Sequence, residues 1–339
     1  MNAHQRITPT PVSRRRFLQI SAGFAVCAAG LAGPAGAAVV QDTPLHSWRG
    51  IALGADAEMR LYHPDAAEAQ RIFARAEAEI RRLEAIFSLY RHDSSLSRLN
   101  ETGRLETPPF ELLELLTLSK RLHRETGGAF DPSVQPLWAA YAEGFSTSAT
   151  GPDEETIRAA RARVGFDGVS IDTDAISFAR PGMALTLNGI AQGFISDRVS
   201  ALLREEGLTD ILVDLGEIRA NGTPPDGAGW PIALDPERVG NAAQRIRLKD
   251  RAVASSAVTA TTFDAKGRIG HILDPRSGAP ADGPLRGASV IATSAAIADG
   301  LSTAALVLGT QGLEDALAAF PRSRARVVER NGTTRWLPA

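Results

Sequence analysis

Ala184-Leu185-Thr186-Leu187-Asn188-Gly189-Ile190-Ala191-Gln192-Gly193-Phe194 is the stretch on which the reading of this chain turns. Ala184 to Leu187 has the composition of a short strand. Gly189 to Glu206 reads as a helix stopped by Gly207, and Ile211 to Val213 as the next strand. A strand-to-helix junction at Asn188-Gly189 would present free N–H groups and a partial positive charge, which suit phosphate oxygens. Gly189 and Gly193 would let a ligand approach the backbone closely. The same glycines would equally serve helix–sheet packing, so the junction alone leaves both readings open.

Elements can be placed on either side of this unit. Ile51 to Tyr62 reads as one or two strands around Gly54. Pro64-Asp65 opens a helix in which Ile72, Ala76, Ile80, Leu83 and Phe87 form one apolar stripe. Leu112 to His123 is a second helix, ended by Thr126-Gly127-Gly128, and Asp153 to Val164 a third. Val169 to Ile171 and Ile176 to Phe178 flank a hairpin turn at Asp172-Thr173-Asp174. Beyond Val213 the chain is strand-rich until Ser294 caps an apolar helix running to Leu308. No linker, charge block or repeat divides residues 38–339, which predicts one α+β domain with two lobes around a cleft.

The first 37 residues stand apart. Ser13-Arg14-Arg15-Arg16-Phe17-Leu18-Gln19 is a twin-arginine pattern, Ile20 to Ala32 is apolar, and Ala35-Gly36-Ala37 is a small-x-small cleavage site. The apolar run is short and rich in Gly and Ala, a poor membrane span. The expectation is a periplasmic protein exported by the twin-arginine route, with no stable span once the signal is removed. The segment holds four arginines and no acids, so the remainder carries 33 basic residues against 39 acidic. That balance argues against a nucleic-acid binder. The only cysteine, Cys27, lies in the signal, which excludes disulfides, thiolate zinc sites and nucleophilic cysteine from the mature protein.

Familiar signatures are absent: no G-x-x-x-x-G-K-[ST], G-x-S-x-G, H-E-x-x-H or G-x-G-x-x-G occurs. Three further segments could carry chemistry. In His271-Ile272-Leu273-Asp274-Pro275 the histidine could be a general base with Asp274 orienting it, or simply part of a turn. Asp299 and Thr303 lie four apart on a predicted helix, so they share a face and could give two oxygens to Mg²⁺, or face solvent. Tyr90, at the exit of the Ile72–Phe87 helix, could stack on a planar ring or belong to the core.

Taken in order, six segments resemble the ApbE family, the FAD:protein FMN transferases. They are Phe87 to Asn100, Thr126 to Leu137, Thr186 to Phe194, Asp214 to Arg219, His271 to Gly278 and Ala298 to Ala304. The chain departs from the family pattern at Thr186 (usually Asp), Asn188 (usually Gly) and Gln192 (usually Lys). Asp214-Leu215-Gly216-Glu217 is one glycine short. Leu-Asn-Gly-Ile-Ala-Gln-Gly-Phe with Asp-Leu-Gly-Glu-Ile-Arg resembles a subgroup, the exported accessory proteins of nitrous oxide reductase.

The resemblance implies Mg²⁺-dependent transfer of FMN from FAD to a Ser or Thr hydroxyl of an acceptor flavoprotein, with release of AMP. Residue by residue, it implies that Tyr90 stacks on a ring of FAD. Ala129, Phe130 and Asp131 would line the flavin cleft with Leu53 at its edge, and Thr186 and Gln192 would touch FAD. The Gly189 carbonyl, the Asp299 carboxylate and the Thr303 hydroxyl would be the Mg²⁺ ligands, and His271 the base. A Mg²⁺-dependent FAD pyrophosphatase, or a flavin carrier without catalysis, fits the same resemblance.

Overall fold

A computed structural model describes residues 43–236 and 244–338. Residues 1–37, read above as an export signal, lie outside them. The β-strands Leu45–Ala52 (β1) and Ala55–Tyr62 (β2) form a hairpin around Leu53-Gly54, so the first strand starts six residues earlier than its sequence suggests. Helix α1 (Ala66–Phe87) is capped by the Asp65 carboxylate, which accepts the Ala67 and Glu68 N–H groups. All five stripe residues of α1 are buried.

Two helices carry too little periodic signal to be read in advance. In α2 (Ser95–Thr102), Leu96 and Leu99 are the only buried apolar residues. The helix exists because Ser94 caps its start and Gly103, at φ 73°, ends it in the left-handed region. Helix α4 (Gln135–Thr147) follows a 3₁₀ turn at Pro132–Val134. Between them, α3 (Phe110–Glu125) extends the predicted second helix, and α5 (Glu154–Arg161) matches the third. A small sheet orders β3 (Arg104–Glu106), β5 (Ala175–Phe178) and β4 (Val169–Ile171).

The predicted strand at Ala184–Leu187 is not one. A side chain takes the place of a paired strand at Leu185: Asn100 Nδ2 donates to the Leu185 carbonyl at 2.8 Å, and the Leu185 N–H donates to Asn100 Oδ1 at 2.7 Å, while the Thr186 N–H donates to the Pro132 carbonyl at 2.8 Å. An amide side chain satisfies the backbone as a neighbouring strand would, an arrangement invisible to local periodicity. The next helix, α6, runs Ala191–Glu205, so Gly189 lies in the preceding turn and not in the helix.

The large sheet is antiparallel throughout, in the order β1-β2-β6-β7-β10-β11-β12-β13. Its remaining strands are β6 (Ile211–Asp214), β7 (Ile218–Asn221), β10 (Arg251–Ala257), β11 (Leu285–Ala292), β12 (Arg324–Glu329) and β13 (Thr334–Leu337). One face packs on the helices: Ile211, Val213 and Val290 join residues of α1, α6 and the helix Ala295–Ala318 in the main core. The other face is covered over Leu212, Ile218, Val253 and Ile291 by the hairpin of β8 (Trp230–Leu234) and β9 (Gln244–Leu248). β6 is therefore buried on both sides, and Ile211 to Val213 read as an apolar run before Asp214.

Helix α7 (Ala295–Ala318) is capped by Ser294 as its sequence suggests, and Gly309, at φ 70° and ψ −170°, breaks it just after Leu308. A third core cluster, under residues 258–283, packs α4 and α5 against Phe263 and Leu273. The cleft lies where these layers meet. Among the described residues no helix is long and apolar enough to cross a membrane.

Candidate active site

The eleven residues that the family resemblance assigns to the site line one cavity of about 200 Å³: Leu53, Tyr90, Ala129, Phe130, Asp131, Thr186, Gly189, Gln192, His271, Asp299 and Thr303. They come from the β1–β2 turn, the segments after α1 and α3, the start of α6, the loop after β10, and α7.

The α6–α7 pair sets the floor. Asp299 is 4% exposed, and the Gly193 N–H donates to its Oδ2 at 3.3 Å. One turn further along α6, Asp197 accepts the Ala295 N–H at 2.9 Å, the Ala296 N–H at 3.1 Å and the Ser294 hydroxyl at 2.7 Å. A carboxylate at the positive end of α7 thus fixes the register in which α7 offers Asp299 and Thr303. The close approach requires glycine: a β-carbon at Gly193 would overlap the Ala295 carbonyl. A β-carbon at Gly189 would stand 3.0 Å from Thr303 Oγ1, so the Gly189 backbone lies against that hydroxyl.

Burial pushes the Asp299 carboxyl up to about 8. A carboxylate in that position would be stabilised by a cation, and the Thr303 hydroxyl on the same helix and the Gly189 backbone against it are oxygen donors of the kind a hard divalent ion takes. Among the described residues no lysine or arginine lines the cavity, whereas Glu217 and Asp131 do. A ligand carrying phosphate charge therefore finds no side-chain cation here, and Mg²⁺ fits the donors present.

The helix start contributes less to anion binding than its sequence suggests. The Ile190 and Ala191 N–H groups donate to the Leu187 carbonyl, and Gly193 to Asp299.

His271 is half-buried, and the desolvation of its ring holds its pKa below the ordinary 6.5. Its Nδ1 lies 3.0 Å from the Thr261 carbonyl. A carbonyl only accepts, so Nδ1 carries the proton and the Nε2 lone pair is the basic one. Thr261, and not Asp274, orients the ring: the Asp274 carboxylate pairs with Arg276 Nε at 2.9 Å. The sequence neighbour was a false lead because the turn at Pro275 directs Asp274 back onto its own loop.

Three other positions acquire definite roles. Asp131 borders the cleft, but both its oxygens are engaged. Oδ1 accepts the Ser133 N–H and hydroxyl, Oδ2 accepts the Phe166 N–H, and burial raises its pKa. It organises the wall that Phe130 and Ala129 form. Tyr90 stands half-exposed at the mouth, its hydroxyl bonded to the Asn188 side chain and its pKa raised by burial. The departure at Asn188 is therefore coupled to the aromatic shelf. Gln192 lies against Gly216, whose β-carbon would meet Gln192 Nε2 at 2.7 Å.

Glu217, Trp138 and the β10 residues Ser255, Ser256 and Ala257 also line the cavity, and the sequence reading assigns none of them to the site. Glu217 sits inside the recognised Asp214–Arg219 segment, and its charge in an apolar strand context was the available signal. Ser256-Ala257-Val258 stands where the family pattern has Ser-Gly-Asp, whereas Ser255, a small polar residue on a strand, has no distinguishing pattern.

The fold and the cleft define a single-domain α+β protein that brings a buried carboxylate, a hydroxyl and a histidine into one cavity. The chain belongs to the ApbE family, whose model matches residues 53–326. It is 33% identical over 258 residues to the FAD:protein FMN transferase of Haemophilus influenzae, covering 72% of this chain and 74% of that one. It is 31% identical over 262 residues to the FAD:protein FMN transferase of Vibrio cholerae, covering 74% and 77%. The crystal structure of Pseudomonas stutzeri flavinyl transferase ApbE in its apo form superposes with a TM-score of 0.74 at 31% identity, over 86% of this chain and 94% of that one.

Proposed function

We propose that this protein is a Mg²⁺-dependent FAD:protein FMN transferase, moving FMN from FAD onto a Ser or Thr hydroxyl of an acceptor flavoprotein and releasing AMP. The observation that carries this reading is the meeting of His271 with Gly189, Asp299 and Thr303 in one cavity.

Tyr90 and the Ala129-Phe130 wall offer apolar surface to the rings of FAD. Asp299, Thr303 and the Gly189 carbonyl would hold Mg²⁺, which supplies charge neutralisation for the diphosphate and the departing AMP. His271 Nε2 takes the proton of the acceptor hydroxyl. The oxygen forms its bond to the FMN phosphorus as the bond from that phosphorus to the AMP oxygen breaks. The Thr261 carbonyl keeps Nδ1–H in place and stabilises the imidazolium that results. Burial of the site excludes water that would otherwise compete with the acceptor.

The twin-arginine segment supports a periplasmic location with a 38–339 mature domain. The Leu-Asn-Gly-Ile-Ala-Gln-Gly-Phe and Asp-Leu-Gly-Glu-Ile-Arg phrases support a role in maturing a membrane flavoprotein that serves nitrous oxide reductase.

The test is incubation with FAD, Mg²⁺ and a candidate acceptor. Flavin fluorescence retained by the denatured acceptor is the expected result. Free FMN and AMP would instead mean a pyrophosphatase, and unchanged FAD a carrier.

A further inference from the structure

The β1–β2 turn is built from two residues with positive φ, Leu53 at 48° and Gly54 at 83°, between the paired Ala52 and Ala55. This is the two-residue hairpin geometry that favours Asn-Gly, since both central residues occupy the left-handed region. Gly54 fits it without cost. Leu53 does not, because a leucine β-carbon crowds the backbone there. Among the described residues four non-glycines have positive φ, and of these Leu53 is the one that lines the cleft.

Something outside the turn must hold the leucine in this conformation. The Leu53 N–H donates to Glu84 Oε1 at 2.6 Å, a charge-assisted bond from the last turn of α1. The Leu53 side chain is half-buried against the main core and forms part of the cavity wall. If the turn relaxed to negative φ, the N–H would leave Glu84 and the side chain would leave the wall.

We propose that Glu84 is a positioning residue for the flavin site. It latches the strained turn so that Leu53 presents a preformed edge to the bound dinucleotide. The inference rests on the reading of this cleft as an FAD site. Neither residue touches the reacting atoms.

The experiment is a flavin-fluorescence titration of the full chain with FAD in saturating Mg²⁺, with amide hydrogen exchange at Leu53 followed in parallel. Glu84→Ala weakens FAD binding about tenfold, the order expected for losing one charge-assisted bond, and speeds exchange at Leu53. Glu84→Gln keeps an acceptor oxygen and costs roughly threefold on the same scale. Asparagine tolerates the left-handed region, so in a Leu53→Asn background the same Glu84→Ala change costs less than about twofold.

Equal loss in both backgrounds would overturn the latch, as would unchanged affinity and unchanged exchange in Glu84→Ala. If the unaltered protein binds no FAD, the proposed function fails. The exchange rate at Leu53 still decides the latch, with lost protection supporting it and retained protection refuting it.

Discussion

The Gly193 amide donates to Asp299 across 106 residues of sequence, tying the first turn of α6 to the buried carboxylate of α7. This contact joins the two halves of the site. It exists because α6 and α7 approach so closely that no β-carbon fits between them at residue 193. Gly193→Ala should therefore force the helices apart. Overpacking against a backbone carbonyl is expected to cost about 3 kcal/mol, seen as a lowered denaturation midpoint, with weakened Mg²⁺-dependent FAD binding in whatever remains folded.

Gly189→Ala makes a more selective demand. The new β-carbon stands 3.0 Å from Thr303 Oγ1 and 3.3 Å from its Cγ2, so a side chain has to give and the backbone can stay. The expected outcome is a nearly unchanged melting temperature with the Mg²⁺ concentration for half-maximal FAD binding raised about tenfold, a loss of roughly 1.4 kcal/mol. An unchanged Mg²⁺ requirement would separate Thr303 from the cation.

Gln192→Lys tests the missing cation. The side chain ends against Gly216 in a cavity lined by acids. An ammonium there would attract the diphosphate directly. FAD binding in the presence of EDTA should become measurable in this variant and stay negligible in the parent protein. Calorimetric titration compares the two.

His271→Ala should bind FAD within about twofold of the parent and lose transfer by about 10² or more, the usual weight of a general base. The pH dependence has a definite sign. Desolvation holds the folded pKa below 6.5, so the acid limb of kcat/KM falls below 6.5. In the unfolded chain the same group takes up a proton near 6.5. This residue's contribution to stability is therefore present above that pH and is lost as the pH falls from there toward the folded pKa. His271→Ala should flatten that part of the stability profile, measured by urea unfolding between about pH 5 and 7.

Much of the architecture was legible because it is encoded locally. The stripe Ile72 to Phe87 identifies α1, Ser294 marks the start of α7, and the Asp172–Asp174 turn marks the β4–β5 hairpin. Six short phrases in family order brought the site residues forward even though each was ambiguous alone.

What local pattern could not supply are the relationships made across the fold. Residues 184–187 look like a strand, and only the return of Asn100 from 85 residues away shows that a side-chain amide replaces the neighbour. His271 looks oriented by Asp274, yet the Thr261 carbonyl does it once the loop closes. Glu84 is one acid among several on an amphipathic helix until the β1–β2 turn descends onto it. Periodicity and capping act within a few residues, so a chain reveals them directly. Partners chosen by close packing depend on which surfaces meet, and that is settled only when the whole core assembles.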